Sequence, residues 1–530
     1  MKKIIVILLL LLLVNNIQSQ EKSVNAFDEE FIDWYNKDYQ TDKILGTSVD
    51  LLYKTKLKTV IPKDTIIVAV IDGGVDINHE DLTGKIWINT DEIPDNQIDD
   101  DENGYTDDVY GWNFIGNEKG ENINFENFEY TRIIKNKQNK KYSEALELYE
   151  KELTKRREDS ALIIKFDKSY NLAKKVIFDN TGIRVKTKSD LKKIVSYDQR
   201  VNGAKKFLKK LYSKGFNEKE LENLKIRNHE FLAYFLNTDF NPREIINDNP
   251  NNFDIKNYGN NNVTGPKSDH GTSVAGIIAA NRDNRIGING IASCVKIMSL
   301  RVVPNGDERD KDIALAIIYA VDNGARIINM SFGKKISPNK ELVDHAVKYA
   351  ENHNVLIIHA AGNYGIDIDK NRTYPCDSYM DSTVAKNWIN VGASNMFCKK
   401  DLAAEFSNFG KENVDLFAPG INLVSLDSAG LYNLHDGTSV SAPVVTGIAA
   451  LILSYFPELT FQELIEVLED GCFDIKKPRK VIKPGLENKK KEKVAFSELS
   501  KFGGIVNAYS SYLSAEKLMN NKHTATSSQM

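Results

Sequence analysis

Apolar positions along the chain gather into short, β-branched runs separated by amphipathic stretches. The first is "DTIIVAVIDGGVD", in which residues 65–71 are almost continuously apolar and the run stops at Asp72, Gly73 and Gly74. A run without polar alternation suits a strand covered on both faces, as in a parallel sheet. Comparable runs follow at 295–303 (VKIMSLRVV), 325–333 (ARIINMSFG), 354–363 (NVLIIHAAGN), 388–394 (WINVGAS) and 414–420 (VDLFAPG). Helical patterns at 312–324 and 340–353 lie between them, with stop signals at Asn323-Gly324 and at 352–354. This alternation predicts an α/β fold: a doubly wound, mostly parallel sheet with helices on both faces. Ligands of such sheets sit beyond the carboxyl ends of the strands. Asp72 and Asn363 both fall at such ends.

One region breaks the pattern. Roughly 118–262 is dense in Lys, Glu and Asn and contains "YSEALELYEKELTKRREDSALIIKF", which predicts a charged, mostly helical surface insertion. Near the end, "FGGIVNAYSSYLSAEKLM" predicts a last helix, with 516–530 as a flexible tail. At the start, two lysines precede the apolar run 4–14, which is shorter than the roughly 20 residues that span a bilayer. Residues 1–19 therefore read as a secretory signal peptide, and the product is expected outside the cell or in the periplasm, without a membrane span. A short polar segment, 20–62, then leads into a main domain at 63–515.

Composition changes this picture little. Apolar residues make up 41% of the 530, enough for a sizeable core, and the net charge of −4 gives no reason to expect a nucleic-acid or anionic-membrane partner. The four cysteines, Cys294, Cys376, Cys398 and Cys472, have no zinc-site spacing. Export would permit disulfides, and free buried thiols are an equal alternative.

The candidate chemistry lies in a repeated string. GTSV occurs at 46–49, 271–274 and 437–440. The first copy has no acid or histidine just before it, and Thr47 or Ser48 reads as a helix N-cap. The second is preceded by His270 and followed by small apolar residues that suit a closely packed helix. In the third, Ser439 opens a long apolar helix with Pro443 read into its first turn, where a missing N–H costs little. A helix N-terminus favours negative charge and so suits a developing oxyanion. A serine hydroxyl needs a base to take its proton, and a histidine base needs a carboxylate to hold its tautomer. The chain supplies Asp72, His270 and Ser439, in that order.

"VAVIDGGVD", "HGTSVAGIIAA", "GTSVSAPVVTG" and "AAGN", in this order, resemble the subtilisin-like serine peptidases, or subtilases, over about 63–515 outside the insertion. The resemblance implies a secreted serine endopeptidase that works through an acyl-enzyme and needs no cofactor for chemistry. Asp72 would orient His270, His270 would act as base and acid, Ser439 would attack, and Asn363 would donate in the oxyanion hole. Ser331, Phe332 and Gly333 in "NMSFG" match the segment that pairs with an extended protein or peptide substrate. The facing loop "NGDERD" (305–310) would form the other wall, and its acids could favour basic residues. Subtilases often carry an independently folding prodomain, for which 20–62 is short. The insertion between the Asp and His blocks would lie near the cleft rim. A monomer is expected.

One motif stands apart. "IDDDENGYTDDVYGWNF" (98–114) places Asp99, Asp101 and Asn103 at alternate positions before Gly104, followed by Asp107, like the start of a calcium loop. Tyr110 stands where an EF-hand needs glutamate. The stretch reads equally as a structural calcium site or as a solvated acidic turn.

Overall fold

The computed structural model of the protein describes residues 21–253, 258–282, 284–475, 480–485 and 491–527; the expected leader, 1–19, lies outside them. The described residues form two compact units: Tyr130–Asn241 is one, and the chain before and after it is the other.

In the larger unit the apolar runs become strands. They are β1 (Ile66–Asp72), β2 (Gly111–Asn113), β3 (Val295–Arg301), β4 (Ile327–Met330), β5 (Leu356–Ala360), β6 (Trp388–Ser394) and β7 (Leu416–Pro419). A hairpin, β8 (Leu423–Asp427) and β9 (Leu431–His435), follows, then β10 (Phe473–Asp474), the pair β11 (Val481–Ile482) and β12 (Lys493–Val494), and β13 (Gly504–Ile505). Nine strands join in the order β10-β13-β7-β6-β5-β4-β1-β3-β2. Every pairing described within this sheet is parallel except β10 with β13.

Successive strand side chains point to opposite faces. Ile66, Val68 and Val70 join the core beneath helices Asp269–Ala279 and Thr438–Tyr455, whereas Ala69 and Ile71 join the core beneath helices Asp310–Asp322 and Lys340–Asn352. Both faces are buried, which is why the strand sequences show no polar alternation. Among the described residues, Thr438–Tyr455 is the one helix long and apolar enough to cross a membrane; it lies inside this core.

Two ends differ from the sequence reading. The segment before residue 63 is part of the core: Trp34, Tyr35, Val49 and Leu52 are fully buried with the apolar helices. Trp34 Nε1 donates to Asn422 O (3.1 Å) and Tyr35 OH to Asn289 O (2.9 Å). At the other end the helix runs Ala508–Ser527, through most of the stretch read as a tail. Tyr512, Ala515 and Met519 are buried against the main core, and Lys522 pairs with Glu463. All four cysteines are free thiols.

The smaller unit is narrower than the expected 118–262 and has its own core. Helix Tyr142–Thr181 ends at Gly182, whose φ of 69° closes it in the left-handed region. Its inner face meets helices Gln199–Tyr212 and Glu218–Glu230 through Phe166, Tyr170, Ile177, Leu208, Leu211 and Phe216.

Candidate active site

β1 ends at Asp72, which is buried. Its carboxylate accepts the Gly73 N–H (2.7 Å), and both of its oxygens lie 2.9 Å from His270 Nδ1. Helix Asp269–Ala279 brings the histidine there by a close approach. A Cβ on Gly271 would stand 2.1 Å from the Gly74 carbonyl oxygen and 3.2 Å from the Asp72 Cβ, so only glycine fits. The two-oxygen contact puts the proton on Nδ1 and leaves Nε2 facing outward. Burial pulls the His270 pKa down, but the Asp72 charge and hydrogen bond outweigh it and raise the pKa to about 8.

Ser439 is at the start of helix Thr438–Tyr455 behind Gly437, whose φ of 149° serves as the helix cap. A Cβ on Gly437 would lie 2.9 Å from Ser439 Oγ and 3.2 Å from Asn363 Nδ2. Hydroxyl and amide therefore border the same small space. Thr438 fixes the amide's orientation: its N–H (2.9 Å) and its hydroxyl (3.0 Å) both donate to Asn363 Oδ1, so the Nδ2 donors are turned toward Ser439. His270 Nε2 and the Ser439 hydroxyl do not form a hydrogen bond in this conformation. Such contacts are often long in substrate-free enzymes and tighten with substrate.

Pro443 lies beyond the first turn, deeper than the sequence reading placed it. It therefore removes the N–H that would have reached the Ser439 carbonyl. Ser331 Oγ takes that role, donating to Ser439 O at 2.9 Å. Ser331 is itself held by Asn329 Nδ2 (2.9 Å), and Asn329 Oδ1 accepts from Thr446 Oγ1 (2.9 Å). A chain of buried hydrogen bonds thus ties the end of β4 to the helix that carries the serine.

Beside Ser439 a pocket of about 210 Å³ is bordered by Ser331, Phe332, Gly333, Asn363 and Thr373, with no charged side chain in its lining. The acids of 305–310, which could have favoured basic residues, are engaged internally. Asp307 accepts the Glu129 N–H (2.8 Å), Glu308 is buried, and Asp310 pairs with Lys334 (2.8 Å).

Two histidines escaped the sequence reading because neither has a local signature. His359, at the end of β5, lies behind the pocket with Nε2 2.9 Å from Phe332 O, and burial pushes its pKa down to about 4. His435, on β9, has a buried Nε2 without a hydrogen-bond partner. Burial, with the His270 charge adding, lowers its pKa to about 4.

The acidic loop is built differently from expectation. Glu92, Asp99 and Asp101 converge, with one oxygen from each lying within 4.8 Å of the others. Asp107 turns away to accept the Asn96 and Gln97 N–H groups (3.1 and 3.0 Å). The Asn103 amide donates to Asp101 and Asp108 (both 3.0 Å), which presents a donor where a cation would need an oxygen. Glu92 comes from before the motif and could not be found from its spacing. In the first GTSV copy Ser48 is the N-cap residue of helix Val49–Lys54 but makes no cap hydrogen bond; its hydroxyl donates to Asp38 (3.0 Å) and accepts from Asn507 (2.7 Å).

Comparison with known proteins shows the family. The model of the subtilase family matches residues 63–472, more than half of the chain. The chain is 40% identical over 188 residues to a thermophilic serine proteinase of Bacillus sp. (strain AK1), covering 35% of this chain and 43% of that protein. It is 37% identical over 218 residues to the cell wall-associated protease of Bacillus subtilis, covering 41% and 22%. With the major intracellular serine protease of the same organism it shares 34% over 219 residues, covering 41% and 64%. The matches thus span less than two thirds of each of these relatives. On its family match and the residues around Asp72, His270 and Ser439, the chain belongs to the subtilase family.

Proposed function

We propose that this chain is an exported serine endopeptidase that cleaves extended peptide segments through an acyl-enzyme on Ser439. The observation that carries the reading is the buried Asp72 carboxylate, at the carboxyl end of β1, holding His270 Nδ1 at 2.9 Å from both oxygens; the closeness of Ser439 Oγ and Asn363 Nδ2 around Gly437 supports it. As Ser439 Oγ attacks the scissile carbonyl carbon, His270 Nε2 takes the hydroxyl proton. The carbonyl π pair moves to oxygen, where Asn363 Nδ2 and the Ser439 N–H receive it. Collapse expels the amine, which leaves with the proton from His270, and water then repeats the sequence on the ester. Ser331, Phe332 and Gly333 would pair with the substrate backbone, and the uncharged pocket favours an uncharged side chain before the cut. Export rests on the pattern of residues 1–19.

A fluorophosphonate probe tests the reading. Labelling is expected on Ser439 and is lost in Ser439→Ala, and casein is cut by the labelled form's parent alone. A folded sample that does not react at pH 8 would make the chain a silent member of its family, and reaction without casein cleavage would make it an esterase.

We also propose a structural calcium ion held by Glu92, Asp99 and Asp101, because three converging carboxylates repel one another unless a cation screens them. A higher thermal midpoint in calcium than in chelator is expected, and that difference should vanish in Asp99→Asn. Equal midpoints would leave a hydrogen-bonded acidic turn.

A further inference from the structure

The net charge of −4 hides a strong asymmetry. Tyr130–Asn241 carries 27 Lys and Arg against 15 Asp and Glu, while the rest of the chain carries 43 against 59. The excess is concentrated further in residues 184–214, where eleven Lys and Arg meet two acids. Ten of those eleven are exposed. The two acids are already engaged, Asp190 with Lys193 (3.1 Å) and Asp198 with Arg200 (2.7 Å).

The basic residues are arranged on a fixed frame. Val201, Leu208 and Leu211 face the core of the unit, which places Lys206, Lys209 and Lys210 on the opposite, exposed side of helix Gln199–Tyr212. The preceding segment is pinned along that helix: Asn202 Nδ2 donates to Ser196 O (2.9 Å) and Lys205 Nζ to Ile194 O (2.7 Å). Burial alternates along it. Ile194 is buried, while Val195 is 84% and Tyr197 100% exposed. An apolar and an aromatic side chain are thus held out into solvent beside a lysine stripe.

We infer that this face docks on an anionic lipid surface. Lysines near such a surface gain from its negative potential, and an aromatic ring with a polar tip suits the headgroup boundary. Val195 decides between polyanions. A nucleic-acid backbone rewards charge and stacking, and an exposed valine offers neither, whereas its transfer among acyl chains recovers apolar area. In such interfacial binding, electrostatic attraction to anionic lipid and burial of apolar area add. The inference goes beyond the peptidase reading and does not depend on it.

The test is co-sedimentation of the purified chain with phosphatidylglycerol/phosphatidylcholine vesicles and with pure phosphatidylcholine vesicles, at low and high salt. Binding is expected on the anionic vesicles alone, and it should weaken as salt shortens the screening length. Each lysine contributes about fivefold near such a surface, so Lys206→Gln/Lys209→Gln/Lys210→Gln together should weaken binding by about a hundredfold. Val195→Ser/Tyr197→Ser should weaken binding as well, in samples whose thermal midpoint is unchanged. Equal sedimentation with both vesicle types, full binding by the triple variant, or release from vesicles by an equal phosphate concentration of duplex DNA would each overturn the inference.

Discussion

At the scale of single residues, the site depends on where protons rest. Asp72 raises the His270 pKa to about 8 against the opposing pull of desolvation. A base must be neutral to accept the serine proton, so kcat/KM is expected to rise with pH through about 8 and to fall below it. Asp72→Asn removes the charge that raises the pKa, and its residual activity should therefore have an acid limb at lower pH. A pH–rate profile of both proteins checks the sign, and an unshifted limb would assign it to another group. Asn363 has its carbonyl side fixed by Thr438 and its donors turned to Ser439. Asn363→Ala is expected to lower kcat by about 10²–10³-fold with little change in KM, as for the loss of one oxyanion donor in a subtilisin. Asp72, His270, Ser439 and Asn363 each lie in a short local motif, which is why the sequence alone offers them as candidates. It does not offer His359, His435 and Glu92, because what surrounds them comes from distant strands and loops.

At the scale of elements, the β-branched runs were read as strands without error of type, since burial on both faces removes polar alternation. Short elements escaped: β2 and the β8–β9 hairpin gain their stability from neighbours rather than from their own pattern. Pro443 is the instructive case. Inside a helix it leaves the Ser439 carbonyl without its usual donor, and Ser331 supplies one from another element. Ser331→Ala therefore strands a part-buried carbonyl. A loss of about 1–3 kcal/mol in unfolding free energy is expected, measurable by denaturant titration. Unchanged stability would mean that the carbonyl finds another donor.

At the scale of the whole molecule, the segment before residue 63 is a structural part of the larger unit. Trp34 and Tyr35 are completely buried. Trp34→Ala is expected to destabilise that unit by about 3–5 kcal/mol, read as a lowered thermal midpoint together with lost hydrolysis. A variant that unfolded at the wild-type midpoint would make the segment a loosely attached lead-in. The composition of 20–62 gave no hint of this role, because Trp34 and Tyr35, two of six aromatic residues in a mostly polar stretch, stand out only once the core that buries them exists. Whole-chain charge misled in the same way, since an average over two units conceals a basic one and an acidic one.

What the sequence determined by itself was the parallel α/β class, the family, and the order and identity of the residues around Asp72, His270, Ser439 and Asn363. Those features reside in contiguous runs whose apolar periodicity and local motifs survive without a third dimension. Only the tertiary structure decided that Glu92 joins Asp99 and Asp101, that Ser331 supplies the donor Pro443 withholds from the Ser439 carbonyl, and that the N-terminal segment and the last helix belong to the core. It also decided that lysines at 206, 209 and 210 share one exposed side of a helix along which a segment with an exposed valine and tyrosine is pinned. Each of these depends on distances between groups far apart in sequence, and such distances exist only after the hydrophobic faces have packed.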